Sequence, residues 1–348
     1  MTTTPRPRRG RRPTMEDVAR HVGVSRALVS LVFRDAPGAG PETRRRVLDA
    51  AEELGYRPHN AARMLARSRT RVLGVVMTPA NPFHAELVEA LYPQAEEAGY
   101  AVLLSALTRT RNPAEATEAL LRNRCEALIL LGPVAAPSEV AALARELPVV
   151  TVGRRYPGSG ADAVHTREAR GIRLAADHLV GLGHRAIAHI DGGNAAGSAE
   201  RRRGYREAMR RHGLAEHVRV LPGDQTEASG AAAARTLLDA PGRDRPTAVI
   251  AGNDRCAIGF LDAATRGGLD VPGDVSLVGF DDIPAVAMAH VALTTVHQDA
   301  GGLARAAVRT AAARTEDPDM EPRDEVLEPE LMVRDTTAEP RGQEARGG

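Results

Sequence analysis

"VSRALVSLVFR", residues 24–34, is the stretch on which the reading of this chain turns. Val29 and Val32 stand three apart, a helical interval, with Ser25, Arg26, Ser30 and Arg34 between and around them. That pattern suits an ordinary core helix as well as a helix laid against DNA, and its surroundings separate the two. A helix-turn-helix needs a small residue where its helices pack closely, a glycine at the turn, and apolar residues behind the second helix. Ala19, Gly23, Val29 and Val32 supply these at offsets of four, six and three, and Val18 and Val24 complete a small core. Thr14 with Asp17 makes a capping signal for a first helix over "MEDVARHV", Gly23 ends it, and Ser25 caps the second, which runs to Phe33. After the loop "DAPGAG", Pro41 opens a third helix, "PETRRRVLDAAEELG", with Val47, Leu48, Ala51 and Leu54 on one face.

Charge is distributed to match. Residues 1–71 hold sixteen Arg against seven Asp plus Glu, whereas the chain of 348 residues carries a net charge of only +1. A basic head on an acidic body is the footprint of a nucleic-acid-binding module joined to a separate one. Residues 1–13, "MTTTPRPRRGRRP", lack apolar periodicity and are expected to form a disordered basic tail, lying along phosphates or simply solvated. The length predicts two or three domains. No apolar run is long enough to span a membrane, and no apolar stretch follows the basic N-terminus as in a secretory signal, so a cytoplasmic protein is expected. Cys125 and Cys256 stand far apart without metal-ligand spacing and are expected to be reduced thiols. No cofactor or metal is expected.

From Val72 short apolar strands alternate with amphipathic helices: "VLGVVMT", "YAVLLSAL", "ALILLGP" and "PVVTVG", then "AIAHID", "VRVLPG", "TAVIAGN" and "VSLVGFDD". Such alternation predicts parallel sheets flanked by helices. The run is too long for one ordinary sheet. Two doubly wound lobes are predicted, with a ligand cleft between their strand C-terminal ends.

"MEDVARHVGVSRALVSLVF" and "PETRRRVLDAAEELGYRPHNAARMLA" resemble the head of the lactose-repressor (LacI/GalR) family of transcriptional regulators. "NPFHAELVEALYPQAEEAGY", "HLVGLGHRAIAHIDG", "RRRGYREAM", "AVIAGND", "VPGDVSLVGFDD" and "LTTVHQD" follow that family's body in order. The resemblance implies an all-α helix-turn-helix head (14–58), a hinge helix and linker (59–70), and an α/β body like the periplasmic binding proteins (71–337) made of two doubly wound parallel-sheet lobes. Lobe 1 is expected at about 71–164 and 296–328, lobe 2 at about 165–295 and 329–337, and a frayed tail at 338–348. It implies a regulator, expected to be a repressor, acting as a homodimer or larger assembly on a near-palindromic double-stranded operator. A small effector, a sugar or sugar derivative, would control it from the cleft.

Residue by residue, the resemblance places Ser25 and Ser30 on the DNA backbone, with Thr14 joining them from the first helix's N-terminus. Arg26 and Ala27 match base-reading positions. Arg26 can donate two hydrogen bonds to a guanine, worth roughly 1–3 kcal/mol of discrimination. Leu31 stands where many members have a guanine-reading arginine, and either packs on the head's core or touches a thymine methyl. Arg34 replaces the usual Asn. Arg57, His59, Asn60 and Arg63 match phosphate partners in the linker, and Leu65 matches the leucine that wedges a central base step. In the body, Phe83 and His84 follow the first strand, and Arg201 matches an arginine clamp, although "ERRRGYREAMRR" also reads as a solvated basic face. Asn253, Asp254 and Asp281 match polar ligand contacts or serve strand-end turns. Gln225 replaces an aromatic platform, which argues against a purine.

Two other classes were weighed. Asp281–Asp282 could suggest acid/base catalysis and "DGGNAAG" a phosphate loop, but the loop lacks the Lys and Ser/Thr such loops use, and neither HExxH nor GxSxG occurs. A transport-associated sugar-binding protein would fit the body alone, but the missing signal peptide and the DNA-reading head oppose it.

Overall fold

The computed structural model describes residues 13–33, 36–56, 69–241 and 244–341. It divides into two compact units, Met1–Thr70 and Arg71–Gly348, each described here by itself. The basic tail up to residue 12, Arg34, and the linker residues Arg57, His59, Asn60, Arg63 and Leu65 lie outside the described residues.

In the first unit, α1 (Met15–Val22), α2 (Arg26–Phe33) and α3 (Pro41–Glu53) enclose Val18, Ala19, Val22, Val29, Val32, Val47, Ala50, Ala51 and Tyr56. Gly23 ends α1 with φ 76°, a left-handed conformation that glycine adopts without a Cβ penalty. Leu48, expected on the inner face of α3, is 47% exposed, and Ala50 takes the inward position instead. Two arginines of α3 have structural work. Arg44 donates to the carbonyls of Val32 (3.4 Å) and Ala36 (3.1 Å), and Arg46 donates to the Val22 carbonyl (2.9 Å), satisfying the ends of α2 and α1. Part of the head's basic charge is therefore spent inside it.

The second unit contains two six-stranded sheets. Lobe 1 has strand order β11-β5-β4-β3-β1-β2, built from β1 (Val72–Met77), β2 (Ala101–Ala106), β3 (Ala127–Leu131), β4 (Val149–Val152), β5 (Asp162–Thr166) and β11 (Asp324–Leu327). Lobe 2 has order β12-β10-β9-β8-β6-β7, from β6 (Ile187–Ile190), β7 (Arg219–Leu221), β8 (Ala248–Ile250), β9 (Ser276–Asp281), β10 (Thr294–His297) and β12 (Glu330–Met332). All strand pairs are parallel except β10 with β12. Central strands such as "ALILL" are buried throughout, because helices cover both faces of a parallel sheet.

The connecting helices of lobe 1 are α4 (Pro82–Glu97), α5 (Pro113–Arg122) and α6 (Pro137–Glu146). In lobe 2 they are α7 (Glu168–Gly181), α8 (Ser198–Arg211), α9 (Glu227–Asp239) and α10 (Asp254–Arg266). Helix α11 (Ala300–Glu316) packs back on lobe 1; neither it nor β10 to β12 belonged to the alternation read from the sequence. The chain crosses between lobes after β5, after β10 and between β11 and β12. The second crossing falls after His297, a little beyond the expected lobe boundary at about 295–296, because Val296 and His297 still pair with Phe280 and Asp281 of β9.

The expected frayed tail is held at its start. His184 bonds the Ala338 carbonyl at 2.9 Å, and Arg341 reaches Asp270 at 2.5 Å and Asp274 at 3.0 Å. No helix among the described residues is long and apolar enough to cross a membrane.

Candidate functional site

The exposed side of α2 carries Ser25, Arg26 and Ala27, with Ser30 and Leu31 half-buried beside them, while Val29 and Val32 turn inward. Ser25 caps the helix, its Oγ accepting the Leu28 N–H at 3.2 Å. Thr14 is more occupied than a phosphate partner should be. Its hydroxyl donates to Asp17 Oδ2 at 2.6 Å and accepts the Asp17 N–H at 3.4 Å, closing a capping box. Glu16 and Asp17 also put negative charge in that first turn. Leu31 does not join the residues packed on the head's core. Its Cδ1 lies 3.6 Å from where a Cβ would stand at Gly38, so it leans on the following loop. Half-buried, Leu31 packs on that loop rather than among the residues that close the head's core.

In the body, a cavity of about 200 Å³ lies at the C-terminal ends of the strands of both lobes. Each sheet has a switch point there: β1 is flanked by β2 and β3, and β6 by β7 and β8, so successive connections leave in opposite directions and open a crevice. Phe83 and His84, on the first turn of α4, come from lobe 1. The His84 Nδ1 accepts the Thr78 N–H at 3.0 Å, which leaves the proton of the neutral ring on Nε2. Burial lowers its pKa to about 4, so the ring is a neutral donor at physiological pH. Gly132, with φ +52°, makes room for it: a Cβ there would sit 2.9 Å from Nε2.

Lobe 2 supplies the charged wall. Arg201 is 4% exposed, so the solvated-face reading of "ERRRGYREAMRR" does not apply to it. Its Nε donates to Glu168 Oε2 at 2.7 Å, Nη1 donates to the Gly252 carbonyl at 2.6 Å, and Nη2 lies 3.7 Å from Asp281 Oδ1. The guanidinium carbon stands 3.7 Å from the Phe280 ring centroid. Asp281 Oδ1 accepts from Gln298 Nε2 at 2.7 Å. Burial pushes the Asp281 pKa up to about 7, opposed by Arg201 and reinforced by Glu168. Burial likewise raises that of Glu168, against the pull of Arg201.

Asn253 has a double role: its Oδ1 caps α10 by accepting the Cys256 N–H at 3.0 Å, and its side chain also lines the cavity. Asp254 does not line it. Its carboxylate accepts the Ile283 N–H at 2.9 Å and the Thr295 hydroxyl at 2.5 Å, tying α10 to the ends of β9 and β10. Of the two roles the sequence left open for Asp254, these bonds are those of the structural one, between strand ends. Gln225, at φ 62°, lines the cavity and donates from Nε2 to Ser198 Oγ at 3.1 Å.

Among the lining residues that escaped the sequence reading, two stand at the crossings. Glu168 follows the first crossing and Gln298 the second, and both are buried. The signal was available: a residue just past a crossing must lie between the lobes. Across the cleft, Arg154 of lobe 1 also donates to the Asn194 carbonyl of lobe 2.

Comparison with known proteins agrees with this anatomy. Residues 14–59 match the model of bacterial regulatory proteins of the lacI family, and residues 176–337 match a periplasmic binding protein-like domain. The HTH-type transcriptional regulator GalR of Escherichia coli (strain K12) is 32% identical over 331 residues, 94% of this chain and 96% of that protein. A LacI transcriptional regulator from a Rhodococcus species is 47% identical in its crystal structure, with a TM-score of 0.75 over 77% of this chain and 99% of that one. The lac repressor dimer, solved bound to operator and the anti-inducer ONPF, is 28% identical with a TM-score of 0.82, over 94% of this chain and 100% of that one.

Proposed function

Because the chain belongs to the lacI family of bacterial regulatory proteins, it is a DNA-binding transcriptional regulator and not an enzyme, and we propose that it is a repressor whose operator affinity is set by a monosaccharide held between its lobes. The observation that carries this is the cleft itself. Donors and acceptors from both lobes, His84 on one side and Asn253, Asp281 and Gln298 on the other, converge on one cavity. An occupant bonded to both sides favours one lobe angle over another. A ligand shifts an equilibrium by its differential affinity for the two states, and that coupling is reciprocal with DNA.

The cavity of about 200 Å³ takes one sugar ring, and an adjoining cavity of about 690 Å³ that shares Val134, Gly153, Glu168 and Ala195 leaves space beside it for a substituent. Phe83 offers that ring an apolar face. His84 Nε2 donates, and Asp281 and the amides of Asn253, Gln225 and Gln298 order its hydroxyls. Arg201 acts chiefly by holding Glu168 and Asp281 in place.

On DNA, two copies place their α2 helices in successive major grooves of a near-palindromic operator. Ser25 and Ser30 hold the backbone, Thr14 supports that contact by capping α1, Arg26 reads guanine, and Ala27 and Leu31 meet thymine methyls. Arg34 adds to guanine preference. Arg57, His59, Asn60 and Arg63 hold phosphates, and Leu65 wedges the minor groove between the half-sites.

The test is to select the operator from random duplexes and titrate its gel shift with a sugar panel at fixed salt, since salt alone moves such affinities. The expected outcome is a palindromic consensus whose affinity changes with one sugar. A consensus unaffected by any sugar, with nucleobases alone stabilising the protein, would overturn the proposal.

A further inference from the structure

The buried charges around the cleft do not balance. Glu168 and Asp281 line the cavity, Asp254 lies directly behind them, and all three are buried. One buried guanidinium, Arg201, serves them. The other cation on the wall, Arg255, is held by both oxygens of Glu227, at 2.8 and 2.5 Å. His84 is neutral, for the reason given above. Asp281 and Asp254 receive neutral donors from Gln298, Thr295 and the Ile283 amide. Glu168 Oε2 is bonded by Arg201, whereas its Oε1 takes no hydrogen bond from the described residues. Among the described residues these carboxylates do not form a metal-holding group either.

We infer that the cleft is built for a cationic occupant: an amine-bearing monosaccharide, in preference to a neutral sugar, a sugar acid or a sugar phosphate. The inference rests on the monosaccharide reading above. A buried carboxylate without a matching cation is costly, and a second like charge beside it makes it more so. An ammonium on the ligand brings three donors and a full positive charge to Glu168 and Asp281, and charge-assisted hydrogen bonds are about twice as strong as neutral ones. A neutral hydroxyl can fill the same lone pairs, but the charge is then relieved only by uptake of a proton, which burial already favours at Asp281 and Glu168. A carboxylate or phosphate on the ligand adds one more buried negative charge, with Arg201 already engaged.

The experiment is calorimetric titration of the full-length protein, near neutral pH, with two series: galactosamine, galactose and galacturonate, and glucosamine, glucose and glucuronate. In the series that fits, the amine binds at least about tenfold more tightly than its hydroxyl parent, and the acid does not bind. Glu168→Gln brings amine and parent to similar affinity, whereas Glu168→Asp, which keeps the charge, retains the preference; thermal melting of each variant establishes that it is folded. A parent sugar that binds as tightly as its amine, or an acid that binds, overturns the inference while leaving the sugar reading intact. If no member of either series binds or shifts operator affinity, the sugar reading fails and the inference with it.

Discussion

Replacing Arg201 with methionine tests whether the guanidinium is the electrostatic keystone of the cleft. The substitution keeps an unbranched chain over Phe280 but removes the charge shared by Glu168 and Asp281 and the bond to the Gly252 carbonyl. Removing one partner of a buried ion pair costs about 3–5 kcal/mol, because the other charge stays buried and unmatched. At about 2–4 °C per kcal/mol for a unit of this size, the melting temperature should fall by roughly 10 °C near neutral pH. The deficit should depend on pH in a defined direction. The folded-state pKa values of Asp281 and Glu168 are raised, Asp281 to about 7, so protonation favours the folded state. The stability these groups contribute is complete below the unfolded carboxylate range near 4 and is lost as pH rises through the folded value. Without Arg201 both pKa values climb further, so the gap between variant and parent should widen from pH 5 towards pH 8. Differential scanning calorimetry at several pH values measures this, and the double variant with Glu168→Gln should recover part of the loss, since the two residues are directly bonded. A deficit under about 2 °C, or one that does not change with pH, would refute the reasoning.

Leu31→Arg should add a guanine to the selected operator, and Arg26→Ala should lose one, each by roughly 1–3 kcal/mol at one position, as read by selection from random duplexes. Thr14→Ala removes the side-chain cap of α1 while the backbone N–H of residue 14 still reaches Asp17, costing the head about 1 kcal/mol, measurable in urea melts followed by helical circular dichroism. Burial depresses His84 and His189 to about 4, so both contribute stability that is complete above the unfolded histidine pKa near 6.5 and lost as pH falls towards 4. His189→Gln should flatten part of that acid limb in thermal melts at stepped pH. Leu65→Ser should weaken operator binding while leaving effector titrations unchanged, since its assigned contact is with DNA alone.

How much of this was legible beforehand depended on the kind of information each residue carries. Thr14, Gly23 and Pro41 mark helix ends through short-range bonding and backbone preference, so their roles follow from their neighbours in sequence. The apolar strands announced two parallel sheets because burial on both faces demands it. The same local logic misjudged Leu48 and left Arg201 open between a clamp and a solvated face. A helix of mixed polarity has more than one plausible inner face, and a run of arginines does not reveal which one enters the core.

The sequence by itself determined the helix-turn-helix, the strand–helix alternation and the separation of a basic head from an acidic body, because capping, periodicity and charge act over a few residues or over whole segments. Only the tertiary structure decided that Glu168 and Gln298 belong to the cleft, that Asp254 does not, and that Leu31 lies outside the head's core. Those outcomes depend on groups up to 41 positions apart, as in Glu168 to Arg201, Asp254 to Thr295 and the crossing that delivers Gln298 to Asp281; burial then makes the partner available in space the deciding term.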